Sequence, residues 1–188
     1  SVLESKMPDV LIFEDYDKGV ITKNVIQQVT SAANRLNIPV TVDPKHTHFG
    51  NYTHVTLFKP NLSELEAGTG MRIDRRDTNA IQKACSTIMQ QQQIQMMMVT
   101  LSEAGVFIMN EAGHYHIPAH VRNISDVSGA GDTVISVASL CIAAGMQPQQ
   151  IASLSNLAGG LVCEEVGVVP INKDRFIQEA RETTKGQQ

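Results

Sequence analysis

The amino-acid sequence predicts an α/β fold in which a mostly parallel sheet is flanked by helices. Short, nearly continuous apolar runs alternate with longer stretches whose apolar residues recur at helical spacing, a pattern typical of buried parallel strands and amphipathic helices. After Gly105 two short runs follow each other closely, which indicates a small β-hairpin. A length of 188 residues with 42% hydrophobic side chains is enough for a domain with a real core.

The first half of the chain supplies three expected strands, and each is followed by polar residues. Residues 9–13 form the first, and a helix over 22–37 follows, with Thr22 as a plausible N-cap. Strands over 39–42 and 54–58 come next, and a short helix is expected after Asn61.

The second half begins with one more helix and strand before the hairpin. Three helices then close the chain. The expected ranges are a helix over 74–91, a strand over 95–101, hairpin strands over 106–110 and 114–118, and helices over 131–145, 148–166 and 173–183.

Composition and charge exclude several classes of protein. Fifteen Lys and Arg against nineteen Asp and Glu give a net charge of −4, so a nucleic-acid partner is not expected. No apolar run approaches the ~18 residues of a membrane helix, and the first residues lack a secretory signal pattern. Cys85, Cys141 and Cys163 are far apart and match no zinc spacing, which favours reduced thiols in a cytoplasmic protein.

One segment, 126–133 (DVSGAGDT), leads directly into an apolar helix and carries the strongest chemical signal. The small residues Gly129, Ala130 and Gly131 allow a ligand to approach the backbone, and a helix start offers N–H groups and a positive dipole end to an anion. Asp132 could accept the proton of an attacking hydroxyl at such a site. The alternative is a glycine-rich turn in which Asp132 only caps the helix.

This segment resembles the second signature of the ribokinase-like (pfkB) sugar kinases, and other blocks follow in the order of that family. Residues 59–64 (KPNLSE) match its N-x-x-E element, so the resemblance implies that Asn61 and Glu64 organise Mg²⁺ and phosphates, Glu64 through water. Residues 99–105 and 156–160 resemble the parts that lie against the nucleotide. The implied nucleotide-binding residues there are Thr100, Ser102, Gly105, Asn156 and Gly159.

Within the family, residues 15–20 (DYDKGV), 43–45 (DPK) and 126–135 are most similar to the kinases of ADP-heptose synthesis. Those enzymes phosphorylate D-glycero-D-manno-heptose 7-phosphate with ATP and Mg²⁺. Lys18 and Lys45 follow strand ends, so by position either could face a phosphate or the incoming substrate, which Asp132 is also expected to bind. The alternative for each lysine is a solvated surface charge. Asp126 is implied in a loop for a monovalent cation such as K⁺.

The resemblance starts part-way into the family pattern. The first Gly-Gly signature, the initial strands and the lid over the sugar are not seen before Ser1, so residues 1–188 are expected to be the C-terminal, nucleotide-binding portion of a kinase domain. A homodimer remains an expectation. Two alternatives stay open: another sugar or nucleoside kinase of the family, or a chain that binds nucleotide without turnover.

Overall fold

The computed structural model describes residues 2–119 and 122–185. It contains a six-stranded sheet whose strand order is the order of the chain. The first four strands are parallel, and the last two are antiparallel to their neighbours. The strands are β1 (Leu11–Glu14), β2 (Val40–Asp43), β3 (Leu57–Phe58), β4 (Met96–Thr100), β5 (Val106–Asn110) and β6 (Gly113–Ile117). The predicted mostly parallel sheet with a terminal hairpin is therefore confirmed.

Helices flank this sheet, and side-chain caps set where several of them begin. The hydroxyl of Thr22 accepts from the N–H of Val25, and Asp77 accepts from Ala80, so the fourth helix begins after Asp77 rather than at the predicted 74. The helices are α1 (Val2–Lys6), α2 (Lys23–Arg35), α3 (Leu62–Thr69), α4 (Thr78–Gln92), α5 (Ala130–Ala143), α6 (Pro148–Val162) and α7 (Lys173–Lys185). Short 3₁₀ turns at His46–Asn51 and Ser102–Ala104, and helix α1, were not predicted.

Strand β3 is much shorter than the predicted run over 54–58. His54 has a left-handed backbone (φ 56°), and its N–H donates to the carbonyl of Gln92. The Thr56 hydroxyl accepts from the N–H of Val40. The backbone of residues 55–56 still bonds to the neighbouring chain segments on both sides, but only residues 57–58 pair in register with β2 and β4.

Side chains alternate across the sheet and fill two separate cores. On β4 and β5, Met97, Val99 and Phe107 contribute to the core beneath α2, α3 and α4. Met98 and Ile108 point the other way, into the core shared with α5 and α6. Strands β2 to β5 are thus buried on both faces, which explains their nearly continuous apolar sequences, whereas β6 at the edge is largely exposed. In the part of the chain that the structure describes, no helix has the length and apolarity needed to cross a membrane.

Helix α5 lies across the sheet against β1 and β2 and is fixed there by a buried polar contact. The hydroxyls of Thr41 on β2 and Ser139 on α5 are 2.7 Å apart, and Ser139 also donates to the carbonyl of Ile135. A buried hydroxyl needs such partners. The contact sets the position of α5, whose first residues reach the carboxyl ends of the parallel strands.

Candidate active site

A buried ion pair lies at the carboxyl ends of β2 and β3. The ammonium of Lys59 is 3.1 Å from Oδ2 of Asp43, and the two residues are only 2% and 7% exposed. Burial raises the pKa of the Asp43 carboxyl, and the neighbouring Lys59 charge opposes that rise. Sequence reasoning quoted both residues inside motifs but gave neither this role. A charged residue directly after an apolar strand was the available signal.

The ion pair lies against the glycine-rich turn that starts α5. A Cβ atom on Gly131 would be 3.6 Å from Oδ2 of Asp43 and 3.8 Å from Nζ of Lys59. Gly129 is the N-cap, in the left-handed region (φ 76°) that favours glycine, and no side chain in the described structure caps this helix end. The N–H of Ala130 donates to the carbonyl of Val127 within the turn. The turn therefore presents backbone N–H groups next to a buried cation.

Asp126 holds the turn in shape. One of its carboxylate oxygens accepts from both the N–H and the hydroxyl of Ser128, and the other accepts from the N–H of Gly167. These hydrogen bonds lower the pKa of Asp126. Gly129 also meets Val168, which would be 3.1 Å from a Cβ there. The loop after α6 thus packs directly on the turn.

Asp132 is the third residue of α5 and faces the loop after β1. Its Oδ2 accepts a hydrogen bond of 2.6 Å from the hydroxyl of Tyr16, 116 residues away in the chain. This bond to a carboxylate, together with burial, raises the pKa of Tyr16 to about 12. Burial and the charges of Asp132 and Asp43 raise the pKa of Glu14. Tyr16 was missed by sequence reasoning, because nothing local marks a contact across so long a separation.

The loop that carries Tyr16 is anchored on its other side. Buried Asp15 accepts from the hydroxyl of Tyr52 at 2.8 Å and from the N–H of Asp17 at 2.8 Å, and Asp17 accepts from the hydroxyl of Thr47. Lys18 follows on this loop with an exposed side chain. Among residues 2–119 and 122–185, no ion pair of Lys18 is found. Its predicted substrate role is thus compatible with its position but untested.

Asn61 and Glu64 form a capping box at the start of α3. The Asn61 side chain accepts from the Glu64 N–H, and Oε2 of Glu64 accepts from the Asn61 N–H, both at 2.9 Å. Oε1 of Glu64 pairs with Lys45 at 2.8 Å. Burial lowers the pKa of Lys45, but the hydrogen bond to Glu64 and the charge of Asp43 outweigh it and leave that pKa raised. The sequence thus placed Lys45 and Glu64 on one site without predicting that they pair.

These residues fit Mg²⁺ only through water. In the described residues, no group of three or more His, Cys, Asp or Glu side chains is arranged to hold a metal ion. A carboxylate offers about four lone-pair positions, and Glu64 uses two of them in the contacts above. The remaining positions can bind metal-coordinated water, in keeping with the tendency of Mg²⁺ to retain water and to take its other ligands from phosphates.

The residues implied on the nucleotide side are held by tight packing. Thr100 bridges to Asn61, so the end of β4 lies beside the start of α3. Gly105 has φ 91°, and a Cβ there would be 2.1 Å from the carbonyl oxygen of Ile117. Ser102, also left-handed (φ 54°), accepts from the Gly105 N–H.

Asn156 and Gly159 lie on α6 with equally clear structural contacts. The Asn156 amide donates to the carbonyl of Pro118 at 2.8 Å, which holds the end of the hairpin against the helix. A Cβ on Gly159 would be 2.7 Å from a methyl of Val134, so α5 and α6 approach closely here. Their predicted nucleotide role is untested, and packing alone explains both residue types.

Comparison with known proteins shows the family of this chain. The sequence profile of the pfkB family of carbohydrate kinases matches residues 11–175, which is most of the chain. The chain belongs to this family. The bifunctional protein HldE of Syntrophotalea carbinolica is 37% identical to this pfkB chain over 169 residues, covering 89% of the chain and 34% of HldE. HldE of Pelobacter propionicus is 39% identical over 160 residues, covering 85% of the chain and 32% of HldE.

Solved structures share the fold at low sequence identity. Escherichia coli phosphofructokinase-2 in complex with substrates and products superposes with a TM-score of 0.78 at 18% identity, covering 88% of this pfkB chain and 54% of the other. Arabidopsis thaliana ribokinase complexed with ribose and ATP superposes with a TM-score of 0.74 at 18% identity, covering 85% of this chain and 53% of the ribokinase. The ribokinase-like fold is therefore confirmed. The chain spans about a third of the length of the curated relatives and about half that of these kinases.

Proposed function

We propose that this chain is the nucleotide-binding portion of an ATP-dependent sugar kinase whose acceptor is D-glycero-D-manno-heptose 7-phosphate, converted to the 1,7-bisphosphate for lipopolysaccharide precursors. One observation carries the proposal. The three segments most similar to heptose kinases are far apart in sequence, yet the fold brings them together: Tyr16 bonds Asp132, and Gly131 abuts Asp43. Similarity to HldE proteins along most of the chain supports the same choice.

Asp132 serves as the general base in this proposal. Its carboxylate sits at the start of α5, so it can accept the proton of the attacking anomeric hydroxyl while that oxygen reaches the transferred phosphoryl group. Charge on that group would be stabilised by the N–H groups of Gly129 and Gly131 and by the helix dipole. The Ala130 N–H, also expected from the sequence to take part, donates instead to the Val127 carbonyl. Lys45 and Lys18 would bind the phosphate of the sugar.

ATP and Mg²⁺ are the proposed cofactors. Bound Mg²⁺ would neutralise charge on the nucleotide phosphates, and Glu64, with Asn61 beside it, would hold its water. Thr100, Ser102, Gly105, Asn156 and Gly159 are proposed to line the nucleotide. The loop shaped by Asp126 is proposed to take a monovalent cation, and phosphofructokinase-2 of Escherichia coli is known in complex with potassium.

A second candidate follows from the share of the relatives that this chain covers. Because it spans about half of each solved kinase, it could bind nucleotide without turning it over alone. We also propose a cytoplasmic location and a homodimer, and a related phosphofructokinase-2 is known as a tetramer.

The deciding experiment measures ADP release by the chain with Mg-ATP and heptose 7-phosphate, with ribose, fructose 6-phosphate and no sugar as controls. Release that depends on heptose 7-phosphate would establish the proposed substrate. Release that is greater with another sugar would replace heptose by that sugar. Nucleotide binding without release would favour the second candidate, whereas no nucleotide binding would contradict both.

A further inference from the structure

We propose that Tyr16 is a positioning residue that keeps the Asp132 carboxylate away from the N–H groups of its own helix. The inference rests on the proposed function, because it concerns the anion site at the start of α5. Tyr16 thereby leaves that site open for a phosphoryl group and directs the base toward the acceptor.

The need for such a residue follows from where Asp132 lies. It is the third residue of α5, in the first turn, where a carboxylate is attracted by the positive dipole end and by unpaired N–H groups. A side chain that folded back would cap the helix and place a negative charge where a phosphate should bind. In the described structure no side chain caps this end, and the carboxylate instead accepts from Tyr16 at 2.6 Å.

Tyr16 is suited to this task because its own loop is fixed. Asp15 beside it is buried and accepts two hydrogen bonds, one of them from Tyr52. The loop is therefore held independently of α5, so the phenol can hold the carboxylate rather than follow it. A hydroxyl is also a neutral donor, which orients the carboxylate without an ion pair that a substrate would have to break.

The remaining charges near Asp132 do not replace this contact. The pKa of Glu14 is raised by burial and then by repulsion from the Asp132 carboxylate. Lys45 attracts that carboxylate, but its ammonium is already paired with Glu64, as that of Lys59 is with Asp43. Tyr16 occupies only part of the hydrogen-bonding capacity of the carboxylate, which leaves lone pairs for an attacking hydroxyl. Tyr16 is 55% exposed, so its ring remains accessible to solvent while its hydroxyl holds the Asp132 carboxylate.

A double-mutant cycle tests the proposal through Mg-ATP affinity, measured by calorimetry on the chain. The variants are Tyr16→Phe, Asp132→Asn and the pair combined. We expect Tyr16→Phe alone to weaken Mg-ATP binding about three- to tenfold, since the freed carboxylate moves toward the helix end. In the Asp132→Asn background, where no charge can move there, the same change should alter affinity less than about twofold.

Tyr115→Phe is the matched control, because Tyr115 is also exposed but lies on β6 and should leave affinity unchanged. Circular dichroism melting checks that all variants fold. An equal effect of Tyr16→Phe in both backgrounds, or no effect in either, would overturn the positioning role while leaving the proposed function in place. Failure of the unsubstituted chain to bind Mg-ATP would overturn both.

Discussion

The two sides of the candidate site are constrained by different physics. On the strand-end side, Asp43, Lys59, Tyr16 and Asp132 are held by charge and hydrogen bonding. On the hairpin side, Gly105 and Gly159 are required because neighbouring atoms leave no space for a Cβ. On the strand-end side, the residues of the matching motifs make charged and hydrogen-bonded contacts with one another. On the hairpin side, packing explains the matching residue types equally well. Substitutions should therefore separate catalytic from structural effects.

The largest expected effect is on the strand-end side, where Asp132→Asn removes the proposed base. We expect kcat to fall by about 10²–10⁴-fold in the complete kinase, because proton transfer of this kind contributes that much. The melting temperature should change little, since Asn can still accept from Tyr16. Steady-state kinetics and thermal melting check this, and equal turnover by the two enzymes would remove the assignment.

Lys59→Met tests whether the strand-end side also contributes to the stability of the fold. It leaves the Asp43 carboxylate buried without its cation, so we expect the free energy of unfolding to fall by about 3–5 kcal/mol at neutral pH. The remaining carboxyl should have a pKa raised further by burial, so the loss should shrink as the pH is lowered and Asp43 becomes protonated.

Urea unfolding at several pH values measures this effect. The control combines Lys59→Met with Asp43→Leu, which removes both charges and should recover part of the loss. If the single and double variants are equally unstable, the loss comes from packing rather than from the unpaired charge.

Gly105→Ala sharpens the comparison from the hairpin side. A Cβ would lie 2.1 Å from the carbonyl oxygen of Ile117, on a backbone with φ 91°. We expect about 2–4 kcal/mol of destabilisation from the clash and the strained backbone. Gly50→Ala is the control, since a Cβ there meets nothing within 4 Å, and it should stay within about 0.5 kcal/mol. Similar urea midpoints for both variants would contradict the steric account.

The smallest effect concerns Asp126, a half-buried residue whose carboxylate holds the glycine-rich turn in shape. Its pKa in the folded chain is lowered by hydrogen bonds, so its contribution is present above the unfolded pKa of about 3.9 and is lost as the pH falls through the folded value. Asp126→Asn should melt at a lower temperature than the unsubstituted chain at pH 7, and the gap should close toward pH 3. A gap that is constant over this range would exclude the ionised carboxylate as the cause.

Local patterns were sufficient for most of the fold. Apolar runs located five strands, the close spacing after β5 located β6, and the turn at 126–132 followed from its small residues. The exact start of α4 could not be predicted, because Asp74 and Asp77 are both good N-cap residues. Only the structure shows that Asp77 is the cap. The length of β3 was overestimated, because the sequence gives no sign that the backbone of His54 is left-handed.

The contacts between residues far apart in the chain could not be predicted from the sequence. Asp132 could be identified from its glycine-rich setting, but its bond to Tyr16 joins residues that no periodicity relates. Likewise Asp43 and Lys59 were visible as charged residues after strands, yet their pairing depends on which strands are neighbours. The sequence indicated which residues have suitable chemistry, and tertiary structure decided how they are combined.

The chain-order sheet has a consequence for the time course of folding. Neighbouring strands in the sheet are always consecutive in the chain, so the sheet can grow one strand at a time. Helix α5 must instead return across 98 residues to place Ser139 against Thr41. We expect a folding intermediate with an ordered sheet and an undocked α5. The carboxylate of Asp132, the proposed base, would then reach its place in one of the last steps, after the loop that carries Tyr16 has formed.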